Sequence, residues 1–508
     1  MKTNSLDFDA QALREKILDL AMRGKLVKQD PNDEPASVLL EKIKAEKAEL
    51  VKEGKIKKSK SLPEVTDEEK PFDIPDSWEW VRLGDVALSI NDGIHFKPNY
   101  VKNGIKFVTA KNISSGKLDL SKTDYISKED YDEFAKKVSP ALGDLLLSKD
   151  GTIGAAAINE SKEEFGLLSS IAVVKTNKEH VSNYYLSYVI KSSIIQQQIK
   201  KNIRGITYRH WNLKRINTTY IPLPPLSEQK RIAAKIAQLF ALLRKVESST
   251  QQYAKLQTLL KSKVLDLAMR GKLVKQDPND EPASVLLEKI KAEKEQLIKE
   301  KKIKKSKPLP PITDEEKPFE IPDSWKWVRL GDIGAWAAGA TPSRKHPEYY
   351  GGTIPWLKTG DLNDGIVNET SEKITELGVK NSSVKVNEPG NVLIAMYGAT
   401  IGKLGIVGNQ ELVTNQACCG CSLFDGVHNW YLFYYLLASR KRLIDLGSGG
   451  AQPNISKNKI EKFTFPLPPL EEQSRIAAKV AQLFALLRKS EGFRFGYARK
   501  IGQASFKR

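Results

Sequence analysis

The chain has 508 residues, of which 40% are hydrophobic and 28% charged, with a formal net charge of +19 and an isoelectric point near 9.4. This composition excludes a disordered chain and allows more than one buried core, and no apolar run approaches the roughly 18 residues of a membrane span. The basic excess leaves two readings open: a polyanionic partner, most often nucleic acid, or simply a soluble basic surface.

In chain order, the start MKTNSLDFDAQALREK has no apolar secretory core, and the three clustered cysteines, Cys418, Cys419 and Cys421, fit a reducing cytoplasm best. From Leu18 runs a block that returns later. Residues 18–86 recur at 265–333, 247 positions on, identical at 59 of 69 positions and unbroken over the first 30. Within the block, 35–52 and 282–299 read as helices rich in Glu and Lys, each leading to a KIKKSK tail at 55–60 and 302–307. The tails read as solvated linkers, with phosphate contact as the minor alternative. IPDSWEWVRLGD and IPDSWKWVRLGD then open two segments, roughly 87–220 and 334–464, that look little alike.

These variable segments still share a rhythm. IKFVTAKNISSGKLD (105–119) and TIPWLKTGDLNDGIV (353–367) each read as strand, polar loop and glycine turn. LLLSKDGTIGAAAI (145–158) and VLIAMYGATIGKLGIV (392–407) share Gly/Ala-Thr-Ile-Gly between apolar runs. One fold with two different surfaces is expected.

A second repeat closes each segment: 222–247 (PLPPLSEQKRIAAKIAQLFALLRKVE) recurs at 466–491, 244 positions on. Proline is excluded from a helix interior, so the helix starts after it, with Ser227 as the candidate N-cap. Apolar residues then fall at Ile232, Ile236, Leu239, Leu243, Val246, Tyr253, Leu260, Val264 and Leu267, with Thr250 and Gln257 filling the gaps. This is a heptad seam, which packs along a second helix; it spans on the order of 50 Å. Gly271 and Pro278 end it. The second copy (Ile476, Val480, Leu483, Leu487, Tyr497, Ile501) stops where the first has Val264, and Leu13, Ile17 and Leu20 supply the missing match to Leu260, Val264 and Leu267. The repeat is circularly permuted, and the N-terminal segment is expected near the C-terminal helix. The expected fold is α+β: a pseudo-twofold molecule in which paired long antiparallel helices separate two mixed α/β domains.

Catalytic signatures are missing. The nearest approach to a phosphate loop, Gly398-Ala-Thr-Ile-Gly402-Lys403-Leu404, has three residues between its glycines where four are needed, and reads as a hairpin. No GxGxxG opens a helix after a strand, and no Asn/Asp-Pro-Pro-aromatic loop marks an amino-methyltransferase. The histidines (His95, His180, His210, His346, His428) are scattered, and Cys418, Cys419 and Cys421 suit a buried strand in a reducing compartment better than a zinc site. The Pro-Asp of IPDSWEW suggests no nuclease site, because Glu79 becomes Lys326 in the other copy. The expectation is a chain that binds while others react, with no metal or cofactor of its own.

Loops that mix positive charge, amides and aromatics suit phosphate and base-edge contacts. In the first domain these are Lys111 and Asn112; Lys149 to Thr152; and the 204–211 loop, with Arg204, Thr207, Tyr208, Arg209 and His210. In the second they are Lys358 to Asp361; the 397–403 loop, with Tyr397, Thr400 and Lys403; and the 448–454 loop, with Gln452 and Asn454. Arg209 suits a bidentate contact to guanine, and Gln452 or Asn454 one to adenine. An ordinary surface role is the alternative for each. The 204–211 and 448–454 loops hold matching places before the PLPPL element yet share almost no residues, as specificity loops on one scaffold would.

The order of these elements resembles the specificity subunit of type I restriction–modification systems, over nearly the whole chain. The resemblance rests on two variable segments, the PLPPLSEQKRIAAKIAQLFALL helices, the GKLV…EPASVLLEKI block and the IPDSWEWVRLGD openings. It implies a conserved helical segment at 1–70, target-recognition domains at 71–225 and 318–469, a helical spacer at 226–317 and a C-terminal helix at 470–508. It further implies that each domain reads one half of a split double-stranded DNA site and that the helices set the gap. Two methyltransferase subunits carrying S-adenosylmethionine would dock on the frame, and two motor-nuclease subunits using ATP and Mg would complete the assembly, with no membrane involved. A free-standing architectural or regulatory DNA-binding protein is the alternative; a DNA-processing enzyme with an unseen site is a third.

Overall fold

The computed structural model describes residues 9–58, 60–202, 210–447 and 454–505. The chain forms two compact units, Met1–Thr250 and Gln251–Arg508. The boundary falls inside one continuous helix, Leu226–Met269, so the central segment 226–317 is shared between them. Each unit is mixed α/β, as the sequence implied.

The first unit opens with the helix Ala10–Met22, where the Asp9 carboxylate caps the Ala12 N–H at 2.8 Å. The helix stops because Gly24 takes a left-handed φ of 67° and Lys25 N–H returns to Leu20 O at 2.8 Å. A Cβ on Gly24 would lie 2.4 Å from Pro75 Cγ, so the turn needs glycine for space as well as for φ. The helix Ala36–Lys52 follows. The strand Glu79–Arg82 then pairs antiparallel with Tyr220–Leu223, setting Trp80 opposite Pro222. The shared opening and closing motifs of the variable segment are therefore hydrogen-bonded to each other. Proline is tolerated there because the sheet has only two strands, and both are edges.

Between these strands lie two four-stranded sheets. One has the order Ser89–Asp92, Ile171–Lys175, Leu145–Ser148, Ala156–Ile158, all antiparallel. Its residues alternate between two cores: Leu146, Ile171 and Val173 join Phe107 and Val108 of the second sheet, whereas Leu145, Leu147, Ala172 and Val174 join the frame residues Ile17, Trp78 and Ile232 and, from the variable segment, Tyr185. Burial on both faces explains why the two inner strands run apolar without a break over Leu145–Leu147 and Ile171–Val174 rather than at every second residue.

The second unit repeats this plan. Lys326–Arg329 pairs with Thr464–Leu467, with Trp327 opposite Pro466. Val392 and Ile394 point into the core shared with Trp325, Tyr431 and Ile476, and Leu393 and Ala395 into the other. The parallel pair Ile105–Val108 with Phe165–Leu167 has its counterpart in Tyr350–Leu357 with Leu412–Thr414. One added strand, Gly365–Val367, extends the larger sheet to five. Residues 398–402 form the expected hairpin, closed by Ile401 N–H to Gly398 O at 3.1 Å. All three cysteines are free and buried on the strand Cys418–Leu423.

The long helix starts at Leu226, one residue before the expected N-cap. Its seam is buried at Ile232, Ile236 and Gln257, but Leu260 is half exposed and departs from the pattern. Within the first unit the N-terminal helix is tied to the long helix. Arg14 forms a two-pronged ion pair with Glu247 at 3.0 and 2.6 Å. In the second unit the C-terminal helix Leu470–Ser505 flanks the later half of the long helix, where Gln257 Nε2 donates to Leu487 O at 2.9 Å.

Candidate nucleic-acid interface

Loops distant in sequence meet where the recognition strands end. In the first unit Asp150 pairs with His210 as an isolated antiparallel bridge, and Trp211 N–H donates to Lys149 O at 2.9 Å. Lys149 N–H donates to Ser170 O at 2.9 Å, and Ser170 Oγ accepts from Ala110 N–H at 3.3 Å. The segments around 110, 149, 170 and 210 thus form one rim.

The second unit uses the same backbone bonds. Tyr397 bridges Asn454, Ile455 N–H donates to Met396 O at 2.8 Å, and Met396 N–H donates to Ala417 O at 2.7 Å. The turn at Thr109 is held by Asn112 Oδ1 at 2.9 Å, and the turn at Lys358 by Asp361 Oδ2 at 2.9 Å. The main-chain bonds recur while the side chains change: Lys149, Asp150, His210 and Trp211 give way to Met396, Tyr397, Asn454 and Ile455.

The candidate residues fall into distinct situations. Arg204, Thr207, Tyr208, Arg209 and Gln452 lie outside the described residues. Lys111 and Thr152 are exposed on the rim. Asn112 is engaged internally, since its Nδ2 donates to Asp119 O at 3.2 Å and Lys122 O at 2.8 Å. Lys358 pairs with Glu372 at 2.8 Å, a carboxylate shared with Arg344 at 2.8 Å, and these two cations hold the Glu372 carboxyl below its usual range. Arg344 also lies over the Tyr350 ring, 4.1 Å from its centre. Tyr397, Thr400 and Lys403 are half-buried and Asn454 is exposed.

Lys149 is 8% exposed. Its ammonium lies 3.3 Å from Asp92 and 3.2 Å from Asp150. Asp92 holds His95 Nε2 at 3.1 Å, and Asp150 holds His210 Nδ1 at 2.5 Å. Nothing in the sequence singles out Asp92, His95 is there only one of five scattered histidines, and neither is linked to Lys149, 57 and 54 positions on. An open groove of about 490 Å3, lined by Glu281, Leu286, Lys289, Glu293, Asp425 and Leu470, lies on the frame of the second unit and involves none of the rim residues. The described residues contain no cluster suited to a metal ion and no helix long and apolar enough to cross a membrane.

The family model for the type I restriction modification DNA specificity domain matches residues 75–257 and 322–491. The chain belongs to this family. Each match begins at the IPDSW opening and runs through the recognition strands into the following helix. The specificity subunit of the EcoAI type I restriction enzyme of Escherichia coli is 34% identical, over 95% of this chain and 90% of that one. The EcoEI specificity subunit of the same species is 32% identical, over 94% and 89%. The putative MjaX specificity subunit of Methanocaldococcus jannaschii is 27% identical, over 82% and 88%. Among solved structures, one on complex assembly and conformational transition of the type I R-M system contains a chain with the same fold, at 21% identity and a TM-score of 0.54, covering 86% of this chain and 98% of that one.

Proposed function

We propose that this chain is the DNA-reading specificity subunit of a type I restriction–modification assembly. Each recognition domain reads one half of a split site, and the long helices set the gap between the halves. The observation that carries this reading is the contrast between frame and rim. The frame repeats down to individual hydrogen bonds, as it must if each copy receives an identical partner. The rim keeps its backbone bonds and exchanges its side chains, as two different half-sites require.

On this reading two methyltransferase subunits dock on the repeated frame and supply S-adenosylmethionine chemistry, and two motor-nuclease subunits supply ATP- and Mg-dependent restriction. This chain contributes binding and geometry, and acts on DNA in the cytoplasm. The net charge of +19 suits the phosphate backbone, which provides affinity without sequence information.

Co-expression with the cognate methyltransferase in a host lacking other adenine methylation tests this directly. The expected result is a genome-wide set of methylated adenines in a split motif, two short and different half-sites at a fixed spacing. Absence of both complex and methylation would favour a free-standing DNA-binding protein.

A further inference from the structure

We propose that His95 and His210 are the base-reading pair of the first recognition domain, with Lys149 as their positioning residue. The inference rests on the DNA-reading role above and assigns it to particular groups. Each ring is anchored through one nitrogen to a carboxylate, which fixes its orientation and the role of the opposite edge. Both rings remain open to solvent, at 69% of the side chain for His95 and 56% for His210. Their anchors do not: Asp92 is 16% and Asp150 24% exposed, and the Lys149 side chain only 10%. The two carboxylates share the one lysine, so the histidines belong to a single network rather than to two separate pairs.

The second domain is built without this network. In the second domain Met396, Tyr397 and Asn454 replace Lys149, Asp150 and His210 while the main-chain bonds persist. The strand register gives the fourth member: Asp92 lies opposite Ala172 and Ala338 opposite Cys419, at corresponding places in the two sheets. A buried ammonium between two carboxylates is costly to desolvate and adds little stability over an apolar residue. Its retention on one rim alone points to what the network holds outward. Without Lys149 the two carboxylates repel and release the rings; with it, two solvent-exposed imidazoles are held in place on the rim. Imidazole edges pair with single donors or acceptors on bases, so the network discriminates bases rather than merely adding charge.

The test uses the full assembly with its methyltransferase and compares the wild type with Lys149→Met and His95→Ala by genome-wide methylation mapping. Lys149→Met installs the residue that the second domain carries at this place. His95→Ala removes an exposed ring and leaves the core intact, so it stands even if the lysine variant fails to fold. Both variants should relax base preference within the same half-site, by about tenfold, with the other half-site unchanged as an internal reference. Unchanged preference in both variants would overturn the proposal. So would uniformly weaker methylation at all sequences, the signature of a phosphate contact. If the wild-type assembly itself methylates no split motif, the failure lies with the specificity-subunit reading instead.

Discussion

Trp78 Nε1 donates to Glu228 Oε2 at 2.8 Å across 150 residues of chain, and Trp325 makes the same bond to Glu472 at 2.8 Å. Each carboxylate takes a second bond, from Gln29 or Gln276, at 2.5 Å. Both carboxylates are 1% exposed, and burial raises both above the usual range while these donors pull them back. The bond ties the opening motif of each recognition domain to the start of its helix. Glu228→Ala leaves two donors unpaired and should cost about 1–3 kcal/mol. Glu472→Ala should cost the same in its own unit. Urea unfolding followed by tryptophan fluorescence measures both; unequal losses would mean that the two frames are not energetic equivalents.

A second repeated bond predicts acid sensitivity. Arg329, 4% exposed, forks onto Glu316 at 2.7 and 2.8 Å and holds that carboxyl down at about 2. A depressed folded-state value means stability that is present at neutral pH and lost as pH falls from the ordinary carboxylate range toward about 2. Glu316→Gln should therefore be less stable than wild type near neutrality, with the difference shrinking as the medium is acidified. Unfolding midpoints across that range would show it; a difference independent of pH would rule out the ion pair as its source. Glu316 is partly exposed, so solvent screening keeps the effect modest.

The cysteines should be inert in the native protein. All three are fully buried on one strand, and burial pushes the Cys419 thiol up to about 12. Thiolate is the reactive form, so a thiol-specific chromogenic reagent should register no cysteine before unfolding and all three after it. Rapid native labelling would contradict the packing of that strand.

The helices should act as a ruler. Adding one heptad to both long helices lengthens each by about 10 Å, equivalent to about three base pairs. The methylated motif should keep both half-sites and widen its gap by about that amount. Altered half-site bases at an unchanged gap would remove the helices from the gap-setting role.

Much of this was legible in the chain itself. Near-identical blocks fold alike, so the repeat alone determined that the frame occurs twice, and the heptad spacing determined a long helix, whose seam is buried at Ile232, Ile236 and Gln257. The apolar runs at 145–148 and 392–395 announced core strands, because burial on both faces removes the polar alternation. The composition of the rim loops was also readable, but their membership was not. Asp92, and through it His95, joins Lys149 only because Asp92 lies opposite Ala172 while Lys149 N–H bonds the next loop at Ser170. That convergence is set by strand register, a long-range property with no local signature in the sequence. The same holds for Asn112, which looks like a base-reading amide in the sequence and is turned inward to close its own loop. Periodicity records what each residue faces; only tertiary pairing decides which polar residues face one another.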